Sequence, residues 1–189
     1  MRSDSIRRKF KLHEDQRRAS ELPRLLQGLE VQGFVRADEL PQQLLDTLAN
    51  FATATAAPHQ RIYAGTAKPR IDEWHGDLLR RAGIRDRFFL RTGLEYFPWA
   101  DCRVTDEQWL DTVRSVLGQN LAFIAYDRGS AALTLPVGHE LLGYLAVPVQ
   151  GPGDVPTAAL TATEPDDSDN ADHATELLTR IDPNAPLSS

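Results

Sequence analysis

Residues 72–77, Asp72-Glu73-Trp74-His75-Gly76-Asp77, hold three carboxylates and an imidazole in a single short stretch. Those types can do acid–base work or ligate a metal, provided their side chains converge. Spacing tests that. On a helix at about 100° per residue, Ile71, Trp74, Leu78, Leu79 and Ala82 form one apolar arc, and His75 falls inside it. Glu73 and Asp77 point away, toward Arg80 and Arg81, with Asp77 and Arg81 spaced as an i, i+4 pair. Asp72 stands where an N-cap belongs. Only Asp72 and His75 can meet, and a zinc site needs three or four ligands. The stretch therefore reads as the start of an amphipathic helix carrying a core-edge histidine.

Other chemistry is sparse. Cys102 is the sole cysteine, so this chain alone forms no disulfide and no cysteine metal site. It follows an aromatic run and reads as a small apolar packing residue. His139, in a Gly-His-Glu triplet, has no accompanying motif. The chain lacks a phosphate-binding glycine loop, an H-E-x-x-H pair, a G-x-S-x-G elbow and EF-hand spacing. No catalytic residue, cofactor or metal is expected.

The elements around these residues predict an α+β domain. "ASELPRLLQGLE" from Ala19 and "ADELPQQLLDTL" from Ala37 share an opening grammar. Ser20 and Asp38 are good N-caps, Pro23 and Pro41 suit a first turn, and leucines recur at helical spacing. Together they predict a helical hairpin, with Gly33 ending its first arm. Residues 53–70 read as a long loop in which Arg61 and Tyr63 are best able to touch a ligand. After the helix closed by Gly83, "RFFLRTGLEYFPWADCRV" predicts a hairpin about Thr92-Gly93. Pro98 cannot donate to a ladder, so its second strand is expected at an edge, with Tyr96 and Pro98 on one face and Phe97 and Trp99 on the other. "TDEQWLDTVRSVLGQ" has a Thr105–Gln108 capping box and a stripe of Trp109, Leu110, Val113, Val116 and Leu117. Strands 121–126 and 131–135 flank a second turn, with Gly129 expected at its left-handed position. "ELLGYLA" fits both a short helix and an alternating strand, and helix is the reading adopted for 139–147.

Composition sets the wider frame. The chain has 189 residues, 41% hydrophobic and 25% charged, which is globular. No apolar run approaches the ~20 residues that span a bilayer, and the N-terminus lacks the apolar stretch of a secretory signal. A cytoplasmic protein without membrane association is expected. Eighteen arginines against three lysines read as a GC-rich, bacterial gene. Net charge is −6 but uneven: residues 1–24 carry +4, 25–150 carry −3, and 151–189 carry −7. Basic head and acidic tail can attract each other or reach separately for partners. Three segments follow: a charged arm over 1–18, one α+β domain over 19–150, and an acidic tail over 151–189. The tail has no aromatic residue and is expected to be disordered. Within it, residues 173–181 place Leu177, Leu178 and Ile181 on one helical stripe that suits a partner's groove.

These features point first to a non-enzymatic protein–protein interaction module, an adaptor or an inhibitor or immunity-type partner. Tyr96, Trp99, Leu177, Leu178 and Ile181 are its expected contacts. A nucleic-acid-associated regulator is the alternative, using Arg7, Arg8, Lys9, Lys11, Arg17 and Arg18 against phosphates. An enzyme built on His75 or the 53–70 loop comes third.

Overall fold

Alternating burial along the strands dictates a sheet covered on both faces. In the computed structural model, which describes residues 2–53 and 56–147, Phe88, Leu90, Leu121, Phe123 and Ala132 turn to one side. Phe89, Ala122, Ile124, Ala131 and Leu133 turn to the other, as the two-residue period of a strand requires. The chain order is α1 (Arg2–Leu25), β1 (Leu29–Val35), a 3-10 turn (Ala37–Glu39), α2 (Gln42–Ala52), β2 (Gln60–Tyr63), α3 (Lys68–Arg81), β3 (Arg87–Arg91), β4 (Trp99–Val104), α4 (Trp109–Leu117), β5 (Leu121–Ala125), β6 (Ala131–Val137) and β7 (Glu140–Ala146). The seven strands form one antiparallel sheet in the order β1-β4-β3-β5-β6-β7-β2. Helices α1, α3 and α4 cover one face. The 3-10 turn and α2 pack on the other, through Leu40, Leu44, Leu45, Leu48 and Phe51. The α+β class is as expected, and no helix among the described residues is long and apolar enough to cross a membrane.

Several elements differ from their sequence reading. The expected helical hairpin is instead helix, strand, helix. Helix α1 runs through Ser20, whose Oγ donates to the Arg17 carbonyl at 2.7 Å, and Pro23 lies in its last turn. The buried stripe is Asp15, Ala19, Leu22 and Leu26, so Leu25 faces solvent and Leu29 opens β1. Gly28, at φ +82°, turns the chain between them, and an added Cβ there would lie 3.0 Å from Trp109 Cα. Gly33 ends no helix but sits at a register shift between β1 and β4. Part of the presumed 53–70 loop is β2, an edge strand on β7.

Helix α3 begins at Lys68, ahead of Asp72. The expected Thr105–Gln108 box is replaced by Asp106, whose carboxylate accepts the Gln108 N–H at 2.7 Å. Strand β4 is paired on both sides, by β1 and β3, so the expected edge strand is interior. Pro98 escapes conflict because it precedes the strand. The left-handed residue of the second turn is Arg128, φ 59°, rather than Gly129. Residues Glu140–Ala146 form a strand and not a helix, because they complete a β-meander beside β6. Gly143 makes room there, since a Cβ would lie 3.0 Å from both Leu78 Cδ1 and Trp74 Cζ2.

Candidate interaction surface

The residues of the 72–77 stretch do not converge on one another. Two of them, Asp72 and His75, meet an arginine from α4. Arg114 donates to the carboxylates of Asp72 and Asp111, and its Nη1 lies 3.4 Å from His75 Nδ1. Lys68 Nζ donates to Asp72 at 2.9 Å and to Asp111 at 2.5 Å. Two cations and two carboxylates thus tie the first turns of α3 to α4. The carboxyl of Asp72 is held below its ordinary range: burial raises it, but Lys68 and Arg114 outweigh that. Asp111 is lowered by Lys68 first and Arg114 as well. His75 is completely buried. Burial, then the neighbouring Arg114 charge, lowers its pKa to about 4, so it is neutral near pH 7. Asp77 pairs with Arg80 at 2.6 Å instead of with Arg81.

This cluster satisfies its own charges. The cluster itself lines a groove of about 920 Å³ along α3 and the start of α4, whose wall also includes Leu79, Ile84, Trp109 and Leu110 and the charged Arg80, Arg85 and Glu107. Cys102 is buried, and burial, with Asp101 adding, pushes its thiol up to about 12. A thiol held so far from ionisation is a poor nucleophile at neutral pH. Among the described residues, no group of three or more His, Cys, Asp or Glu is placed to hold a metal ion.

The expected contact residues separate. Trp99 is only 4% exposed, because it packs in the apolar cluster under α2 on that face of the sheet. Tyr96 is half-buried, and its backbone N–H is committed to Asp15 Oδ2 at 3.1 Å. Leu177, Leu178 and Ile181, with the whole acidic tail, lie outside the described residues. Arg61 reaches Glu140 at 3.7 Å, and Tyr63 stands exposed beside His139.

The basic arm is helical. Lys11 is engaged with Asp15 at 3.1 Å and Glu14 at 4.0 Å, and Arg17 lies 3.8 Å from Glu21. Arg7, Arg8, Lys9 and Arg18 are exposed, with no acidic partner among the described residues. The packed stripe of α1 begins only at Asp15, and residues 5–10 are exposed throughout. Ile6, Phe10, His13 and Arg17 are spaced by four, three and four residues, which sets them opposite that stripe. Ile6 is 55% exposed and Phe10 73%. Lys9 and Arg7 flank them, one on each side. The sequence shows the cations of this segment gathered near Phe10, but that reading leaves out Ile6 and its pairing with Phe10. Its signal was present in their i, i+4 spacing, but only the position of the packed stripe shows that the pair faces outward.

The fold and this surface define an α+β protein whose antiparallel sheet is covered by helices on both faces and whose first helix carries an unpacked apolar pair. No family model matches the chain, and neither a curated protein nor a solved structure matches it.

Proposed function

We propose that the chain is a protein–protein interaction module of the cytoplasm, an adaptor or inhibitor rather than a catalyst, and that the outward face of α1 is its docking element. The carrying observation is the exposure of Ile6 and Phe10 one turn apart, on the side of α1 turned from the body. Helix-in-groove recognition uses i, i+4 anchors of this kind. Full burial of such side chains contributes about 1.5–3 kcal/mol each, enough to anchor a contact that flanking charges complete. The tail stripe of Leu177, Leu178 and Ile181 is a second element of the same reading.

Affinity purification of the full chain from its native cell, beside an Ile6→Ser/Phe10→Ser variant and a Leu177→Ser/Leu178→Ser/Ile181→Ser variant, tests it. A companion protein that accompanies the parent chain and is lost from either variant supports the reading. Companions indifferent to both sets of changes would overturn it. Circular dichroism on each variant controls for folding.

A further inference from the structure

We infer that the surface received by α1 is a protein slot rimmed with carboxylates, deep enough for two side chains one helical turn apart; this rests on the interaction reading above. The centre of the face is apolar, Ile6 and Phe10, and its flanks are cationic, Lys9 on one side and Arg7 on the other. Four residues of helix rise about 6 Å, which sets the separation of the two anchors in the slot. Carboxylates beside it meet Arg7 and Lys9, which have no acidic partner among the described residues.

The same features disfavour the other occupants. A second copy docked α1 against α1 would set Arg7 and Lys9 against their own kind, and like charges across an interface are repelled. Phosphate backbones are held by cations at the centre of contact, whereas here the centre is Ile6 and Phe10, and residues 25–150 carry a net −3. A helix lying in a lipid interface needs a continuous apolar stripe, and this one stops after two residues, where His13 and Arg17 take over the face.

The test places the photo-crosslinker p-benzoylphenylalanine at position 10 of the full chain in native cells, and separately at position 63, an exposed site elsewhere. The crosslinked residue on the captured molecule is mapped by mass spectrometry. The expected product is a protein linked within a pocket bordered by Asp or Glu. In the purified pair, Phe10→Ala should then weaken binding at least tenfold, and so should Lys9→Glu. A Glu→Lys or Asp→Lys change at the facing rim should restore the Lys9→Glu variant. Capture of a second copy, a lipid or a nucleic acid at position 10 would overturn the proposal, as would binding indifferent to Lys9→Glu. Capture at position 63 alone leaves the interaction reading standing and removes this site from it. Capture at neither position also overturns this site, and the interaction reading then stands or falls on the affinity purification above.

Discussion

Asp15 Oδ2 accepts the backbone N–H of Tyr96 at 3.1 Å, and also that of Glu95 at 2.8 Å. A carboxylate on α1 thus holds the segment linking β3 to β4, and Lys11 balances its charge. Asp15 is fully buried. Burial raises its pKa, but the N–H groups of Tyr96 and Glu95 and the Lys11 ammonium overcome this and lower it. Asp15→Ala removes the acceptor of two backbone donors and the partner of Lys11. A loss of about 3 kcal/mol is expected, read from urea denaturation. Because the folded pKa is depressed, the stabilisation is present above the ordinary carboxylate pKa and lost as pH falls through the folded value. A wild-type-like midpoint in the variant would show that α1 is held by its apolar stripe alone.

His75 gives stability a second pH dependence. Its pKa is lowered by burial and by Arg114 to about 4, below the ordinary value near 6.5. The unfolded chain therefore takes up the proton first. Stability is complete above about pH 6.5 and declines as pH falls toward 4. Between pH 7 and pH 5 the loss from this residue is about 2 kcal/mol. His75→Gln should flatten that part of the profile. A profile unchanged by the substitution would place its origin in another group.

Two glycines should respond in opposite directions. Gly76 lies within α3, and an added Cβ there meets nothing within 4 Å. Gly76→Ala should stabilise by about 0.5–1 kcal/mol through helix propensity. Gly143 faces the fully buried Leu78 and the Trp74 ring at 3.0 Å, so Gly143→Ala should cost about 1–3 kcal/mol through overpacking. Thermal melting of the pair tests the closeness of α3 to β7; equal shifts would refute it.

Packing separates Phe10 of the first helix, which is exposed, from Trp109 of the fourth, which is half-buried against the core. Phe10→Ser should change stability by no more than about 0.5 kcal/mol, as expected of an exposed site. Trp109 packs against Phe88 and Phe123 at ring-centroid distances of 4.9 and 6.1 Å, so Trp109→Ala should cost about 3–5 kcal/mol. Guanidinium denaturation of both variants is the check. A comparable loss in Phe10→Ser would mean that Phe10 is packed, and would remove the basis for docking at α1.

Hydrogen exchange should divide α1 in two. Isolated helical turns are marginal in water, and residues 5–10 lack buried contacts, whereas Asp15 to Leu26 is anchored by its stripe. Amides of residues 6–12 should exchange at least tenfold faster than those of 19–25. Uniform protection along the helix would indicate a cover on the first half.

Local patterns in the sequence determined much of this protein. The β5–β6 hairpin, the apolar arc of α3 and the stripe of α4 are legible because each is set by neighbours within a few residues. The ambiguity of residues 139–147 is legible too, but not its outcome: Leu141, Gly143 and Leu145 alternate as well as they spiral, and only pairing with β6 and the approach of Leu78 to Gly143 decide for a strand. The same holds for Leu29, which continues a helical leucine spacing until Gly28 turns the chain toward β4. Candidate chemistry divides in the same way. Spacing places Asp72 and His75 on one turn, but Arg114, which gathers them, comes from a helix far along the chain. The cations of α1 can be counted in the sequence. That Ile6 and Phe10 face outward follows only from the side of the helix on which Asp15, Ala19, Leu22 and Leu26 pack. Periodicity is a local property, and long-range pairing, burial and facing direction arise only when distant segments share one core.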